Sequence, residues 1–359
     1  MTKRNRSRKG AIAIALITLI TATTLTACSG GDKNKNAEAS ATPASDYSQS
    51  LSLVNAVSDN TAALFKDIDA GFIQDWKNRT GQSITIQQAA GISSAQEAAI
   101  IGGQLKADIA TLGVGIDIDA IQAKGLVGEG WQQRYDYNSS PFSTAVAFVV
   151  RPGNPKNIAT WEDTVKPDVA IVTSNPATDS DARWYYAAPW AYSLDKQPDD
   201  QNAAKAFVTS FHNQVAVLAG NDAEAEKAFL ADGKGDVWVT TESRALSLAN
   251  GSAKGKIDVV VPDVTLAVEP IVSVIDSVAD ANGTREAANA YADFLFTETA
   301  QTLAAQHYFR PRFESVTEQF ADRFAATTLL TVDDNLTGWE DLQAALFAES
   351  GLFGQLAKK

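Results

Sequence analysis

The chain of 359 residues contains a single cysteine and only two histidines. A lone Cys28 excludes an intramolecular disulfide and a cysteine-based metal or redox site. His212 and His307 are too few for a histidine-rich zinc site, so neither a metal nor any other cofactor is expected. Basic residues are outnumbered, with 30 Lys and Arg against 43 Asp and Glu. The net charge of −13 becomes −18 once Lys3, Arg4, Arg6, Arg8 and Lys9 are removed with the N-terminal segment that carries them. A chain this acidic does not bind nucleic acid by neutralising phosphates. No long apolar run follows that segment, so nothing later reads as a membrane span. Gly113-Val114-Gly115 lacks the remaining glycines of a dinucleotide fingerprint. There is no activated-nucleophile pattern and no internal repeat. Paired acids such as Asp179 and Asp181 do not argue hydrolysis without geometry, so an enzyme is not expected.

The N-terminus has three parts. The five basic residues are followed by an apolar run from Ala11 to Leu25, and then by Leu25-Thr26-Ala27-Cys28. The apolar run is short for a transmembrane helix of about 20 residues. Small residues ahead of a cysteine make this a bacterial lipoprotein signal, with residues 1–27 removed and Cys28 left as the lipidated N-terminus. Residues 28–50 are rich in Ser, Ala, Asn, Lys and Asp. Such a stretch cannot bury enough apolar surface to offset its chain entropy, and is expected to be a flexible linker. The reading is of a protein outside the cytoplasmic membrane, held there by lipid.

About 310 residues remain, enough for two domains or one large one. A hydrophobic fraction of 45% supports a globular core. Leu64, Phe65, Ile68, Phe72 and Trp76 recur at helical spacing, which predicts a helix over 61–79 stopped by Gly81. Strands are predicted near 52–57, 83–87, 108–112, 145–150, 169–173, 215–218, 236–240, 257–261 and 271–275. Helices are predicted near 95–105, 182–194, 203–211, 224–231, 286–296 and 299–306. Strands that alternate with helices indicate an α/β fold with mainly parallel sheets. His212 at a helix end suits the helix dipole. His307, Trp161 and Trp190 read as structural, and Glu97 and Asp117 as solvated helix charges.

From Leu51 onward the chain resembles the sulfate/thiosulfate-binding protein family. The resemblance is carried by Ala107-Asp108-Ile109-Ala110-Thr111-Leu112, Pro152-Gly153-Asn154-Pro155-Lys156, Asn175-Pro176, Ala182-Arg183-Trp184 with Ala188 and Trp190, Gly235-Asp236-Val237, Ala267-Val268-Glu269-Pro270 and Tyr308-Phe309-Arg310-Pro311-Arg312. Each piece is weak alone, but their order and spacing are specific. The resemblance implies a two-lobed type II periplasmic-binding-protein fold, with residues 51–148 and 268–325 in lobe one, 149–267 in lobe two and a helical segment over 326–359. The strands at 145–150 and 271–275 would be the crossings. It also implies a small ligand in an inter-lobe cleft, an ABC transporter permease as partner and a monomer.

Such receptors hold sulfate with backbone N–H groups at helix starts, a few hydroxyls and a tryptophan N–H, which suits the orphan donors and positive dipole there. Asp59, in Ser58-Asp59-Asn60-Thr61, matches an aspartate that acts through its backbone. Ser93, followed by Ser94, matches the site serine. The family's Ser-Gly-Gly is here Asp179-Ser180-Asp181. Its Gly-Ala-Arg-Gly-Ser loop falls on Asn221-Asp222-Ala223-Glu224-Ala225, and its tryptophan on Thr241. Two glycines, an arginine and an indole donor are therefore replaced, and four carboxylates are added. Asp181 and Asp222 are favoured types for helix N-caps. Three readings remain open: a sulfate-type receptor with these acids turned outward, the same fold with an acidic cleft for a cation or amine, or a scaffold lipoprotein without a working pocket.

Overall fold

The computed structural model describes residues 47–358, so the signal segment, Cys28 and the expected linker as far as residue 46 lie outside the described residues. The described residues form one compact unit. Its packed body already includes Tyr47, whose ring meets Trp76 edge-on with centroids 6.0 Å apart. The linker boundary expected at residue 50 thus falls inside the body. Among the described residues, no helix is long and apolar enough to cross a membrane.

Strand β1 (Leu51–Ser58) leads into helix α1 (Ala62–Thr80), followed by β2 (Ile84–Gly91), α2 (Ser93–Ile101), β3 (Ile109–Leu112) and α3 (Gly115–Gln122). The α1 stripe buries Leu64, Phe65, Ile68, Phe72 and Trp76 as its spacing predicts. Gly81 ends the helix at φ 75°, its N–H returning to the Lys77 carbonyl, a left-handed cap that glycine adopts without Cβ strain. A short turn α4 (Asp136–Ser139) precedes β4 (Phe142–Val150), which is buried at every residue. Then come α5 (Trp161–Thr164), β5 (Ile171–Ser174), α6 (Arg183–Lys196), α7 (Gln201–Asn213), β6 (Val215–Ala219), α8 (Asp222–Leu230), β7 (Val237–Thr241) and α9 (Glu242–Asn250). Strands β8 (Asp258–Val260), β9 (Val264–Val268) and β10 (Ile271–Val274) precede α10 (Asp276–Asn282), α11 (Arg285–Phe294) and α12 (Glu298–Gln306). The last strands are β11 (Arg310–Pro311) and β12 (Thr328–Leu330).

Sheet one has the order β10-β3-β1-β2, and sheet two runs β12-β9-β4-β7-β5-β6 with β8 and β11 also paired to β4. In sheet one, β1 is parallel to β2 and β3, while β10 is antiparallel. In sheet two, β5 is parallel to β6 and β7, and β4 runs antiparallel to β7 and β9. The chain passes to sheet two ahead of β4 and returns through Glu269-Pro270 between β9 and β10. Strand β4 pairs along its length within sheet two, including residues 142–148, which were expected in lobe one. Leu53, Phe65, Phe72 and Tyr291 fill a core beside sheet one, and Phe148, Trp161, Trp184 and Tyr186 fill one beside sheet two.

The C-terminal segment packs back on α6, with Trp339 edge-on to Trp184 at 4.7 Å and Phe353 against Tyr186 at 4.8 Å. It is not helical throughout, because β12 joins sheet two beside β9. Helix α9 follows β7 without a loop. Thr241 ends the strand and also caps the helix, accepting the Arg244 N–H, so no turn residue marks the change in the sequence.

Candidate solute-binding site

The ends of β1, β3, β5 and β7 converge where the two sheets face each other, and Asp181 stands at their centre. It belongs to a single 3-10 turn, Ser180–Ala182, ahead of α6. Its carboxylate reaches across to the sheet-one loops. Ser58 Oγ donates to Asp181 Oδ2 at 2.6 Å, and Asn60 Nδ2 donates to the same oxygen at 3.0 Å. Ser93 accepts the Gly113 N–H at 2.9 Å, and its hydroxyl also favours the charged form of Asp181. That approach leaves Asp181 Oδ1 buried without a hydrogen bond of proper geometry. Gly113 makes the position possible, since a Cβ on it would stand 2.1 Å from Asp181 Oδ1. Trp184 Nε1 closes the contact from the sheet-two side, donating to the Gly113 carbonyl at 2.8 Å. Two sheet-one side chains therefore hold a carboxyl group, and that group is part of the chain. The remaining cavity is ≈ 20 Å³, walled by Trp184, Tyr185, Phe309, Thr144 and Thr241.

More acids surround it. Asp179, not Asp181, caps the turn, its side chain accepting the Asp181 N–H at 3.0 Å. Burial, reinforced by the Asp181 and Asp222 charges, pushes Asp179 up to about 8. Asp181 is raised by burial against the opposing pull of Ser58, Ser93 and Asn60. Asp222 is not the cap of α8. Asn221 takes that role, accepting the Glu224 N–H, while buried Asp222 receives Ser174 Oγ and Tyr185 OH, each at 2.5 Å. Asp117, expected on a solvated face, is buried, because the N-terminal turn of α3 packs under the 3-10 turn. Ser180 Oγ donates to it at 2.6 Å, Arg183 stands 3.7 Å away, and burial raises it to about 7. Glu97 is half-buried and is also raised by desolvation, with Arg183 opposing.

The structure thus gathers Ser93, Asp179, Ser180, Asp181, Asp222 and Thr241 around one point. Glu224 is not with them. It is exposed and accepts the Gly220 N–H at 2.9 Å, bracing the start of α8. Asp59 is exposed on the rim of an adjoining groove, and its N–H donates to the Gly91 carbonyl. Its neighbours Ser58 and Asn60, unnamed as site residues from sequence, are the ones that face inward. Ser94 does not line the cavity. His307 is tied to Asp67 at 2.7 Å, which fits a structural role. Among the described residues, no group of three or more His, Cys, Asp or Glu is arranged to hold a metal ion.

Two α/β halves, with polar loops at their strand ends meeting over a small site, define a solute-binding receptor. Residues 53–310 match the family described as bacterial extracellular solute-binding protein. The chain is 36% identical over 309 residues to the sulfate-binding protein of Escherichia coli strain K12, covering 86% of this chain and 94% of the relative. It is 37% identical over 305 residues to the thiosulfate-binding protein of Pseudomonas aeruginosa, covering 85% and 91%. The solved sulfate-binding protein SubI from Mycobacterium tuberculosis H37Rv superposes with a TM-score of 0.71 at 29% identity, covering 83% of this chain and 99% of that one. The chain belongs to the bacterial extracellular solute-binding proteins and, within them, to the sulfate/thiosulfate-binding family. Members of this family are binding proteins rather than enzymes, and the fold is the two-lobed one of that class.

Proposed function

We propose that this protein is a receptor anchored outside the membrane by lipid on Cys28, that it closes two lobes on a small solute for an ABC permease, and that free sulfate is not the solute it holds tightly. The observation that carries the last point is the Asp181 carboxylate, already seated on Ser58 and Asn60. Two unit charges ~4 Å apart repel by about 4 kcal/mol at an effective dielectric near 20, and a dianion doubles this. That offsets much of the roughly 8 kcal/mol behind micromolar affinity. Lobe one is taken as 51–141 with 269–325 and lobe two as 142–268, the C-terminal segment returning onto the second.

Calorimetric titration of the chain from Ser29 onward with sulfate and thiosulfate tests this reading. No micromolar binding is expected, and Asp179→Ser with Asp181→Gly should create measurable binding. Micromolar sulfate affinity in the unmutated protein would overturn the proposal. It would favour a second reading, in which Asp181 swings out and sulfate takes its place. Ser58, Asn60, Ser93 and Gly113, which meet around the same point, support that alternative, as do the sulfate- and thiosulfate-binding relatives. Absence of binding in both proteins would favour a scaffold lipoprotein.

A further inference from the structure

Among the described residues the chain passes between the two sheets three times. The first passage runs through Ser140-Pro141 into β4, and the second through Glu269-Pro270 between β9 and β10. The third leaves α12 through Arg310-Pro311-Arg312 on the way to β12. Gln301 on α12, fully buried, binds two of them. Its Nε2 donates to the Pro141 carbonyl at 2.7 Å, and its Oε1 accepts the Arg312 N–H at 2.7 Å. The Arg312 guanidinium reaches the remaining one, donating to Glu269 Oε1 at 2.7 Å, and stands 3.4 Å from Ser140 Oγ. Both side chains of the pair are only 17% exposed, so either would be costly to leave without the other.

The segment ahead of β4 is also held out of its ordinary conformation. Tyr137, Asn138 and Ser139 have φ of 54°, 54° and 62°, three successive non-glycine residues in the left-handed region. Such residues ordinarily visit that region singly. A turn of this kind persists only where its surroundings over-determine it. Here the Arg312 guanidinium lies 4.8 Å from the centre of the Tyr137 ring, Ser139 Oγ donates to the Trp131 carbonyl, and Asn138 Nδ2 donates to Asp333 at 2.6 Å. Val268 and Pro270, on either side of Glu269, line the ≈ 20 Å³ cavity beside Asp181, so the passages adjoin the site.

We infer that Arg312 is a positioning residue at the pivot of the lobes. By tying the Glu269 passage to the other two, it fixes the angle between the lobes, and with it the width of the cleft, without touching the solute. The inference rests on the reading that two lobes close on a solute.

The test uses the full-length chain in detergent, with Cys28→Ser to remove the native thiol and spin labels on Lys66→Cys of α1 and Lys205→Cys of α7, both exposed positions. Pulsed EPR reads the distance between the lobes. Arg312→Gln should broaden the distance distribution. Arg151→Gln removes bonds to the Phe229, Lys234 and Gly235 carbonyls within lobe two, and should lower the melting temperature while leaving the distribution unchanged. If Arg312→Gln does not fold, Glu269→Gln, which keeps the shape of the pair and removes its charge, decides in its place. An unchanged distribution in the folded variant, or one broadened as much by Arg151→Gln, would overturn the inference. Asp181→Gly, which removes the bonds to Ser58 and Asn60 across the cleft, separates the failures. A shift there without one in Arg312→Gln removes only the pivot inference, whereas no shift in either variant removes the closing-lobe reading beneath it.

Discussion

Raising the pH from 6 to 8 should destabilise this protein. An unfolded chain holds its aspartates near 3.8, whereas Asp117 sits at about 7 and Asp179 at about 8 in the fold. The folded state therefore binds more protons through this window, and stability is lost as pH climbs through the folded values. For Asp117 alone, linkage between pH 6 and 8 is on the order of 1 kcal/mol, and Asp179 acts in the same direction. At ~2–4 °C per kcal/mol for a chain of this size class, the midpoint should fall by several degrees. His212 opposes the trend near the acid end, because burial lowers its pKa and its neutral form is favoured in the fold. The clean measure is the difference between the unmutated protein and Asp117→Asn, in which the His212 contribution cancels. Urea melts at pH 6, 7 and 8 should show the variant's stability falling by about 1 kcal/mol less across the window. Equal slopes for the two proteins would refute the placement of Asp117 as a buried acid.

Two further outcomes follow from single positions. Gly113→Ala places a methyl where Asp181 Oδ1 lies, 2.1 Å away, so a loss of about 1–3 kcal/mol is expected in denaturant melts. Asp181→Gly in the same chain should restore much of it, and two losses that simply add would show that the carboxylate is not seated there. Cys28→Ala should leave the precursor uncleaved or release soluble protein, as read by membrane fractionation, and unchanged processing would dismiss the lipoprotein reading.

Elements with strong local patterns were legible. The Leu64/Ile68/Phe72 stripe and Gly81 announce α1, and the β-rich run at 236–240 announces β7. Helix α9 was not, since Thr241 serves strand and cap at once. In the site, the replacement of small residues by Asp179 and Asp181 was visible as a change in charge. Which residues would meet them was not. Ser58 and Asn60 contact a residue more than 120 positions away, and local periodicity does not specify contacts at that range. The intervening Asp59 drew attention as the match to the family's aspartate, yet in the turn after β1 it is exposed. Asp117 was read as a solvated helix charge. Its burial comes from a distant turn packed over the start of α3, which leaves no trace in the spacing of α3 itself.

Because the carboxylate on Ser58 and Asn60 belongs to the chain, dilution cannot remove it. A dissolved solute competes with a tethered group whose effective concentration is set by geometry, millimolar or above for short connections. On a packed turn such as Ser180–Ala182, that value does not change with the medium outside the cell. Occupancy of this cradle is thus decoupled from supply. A receptor with an empty cradle reports how much solute surrounds it, whereas this one responds only to a molecule able to evict Asp181 or to bind alongside it.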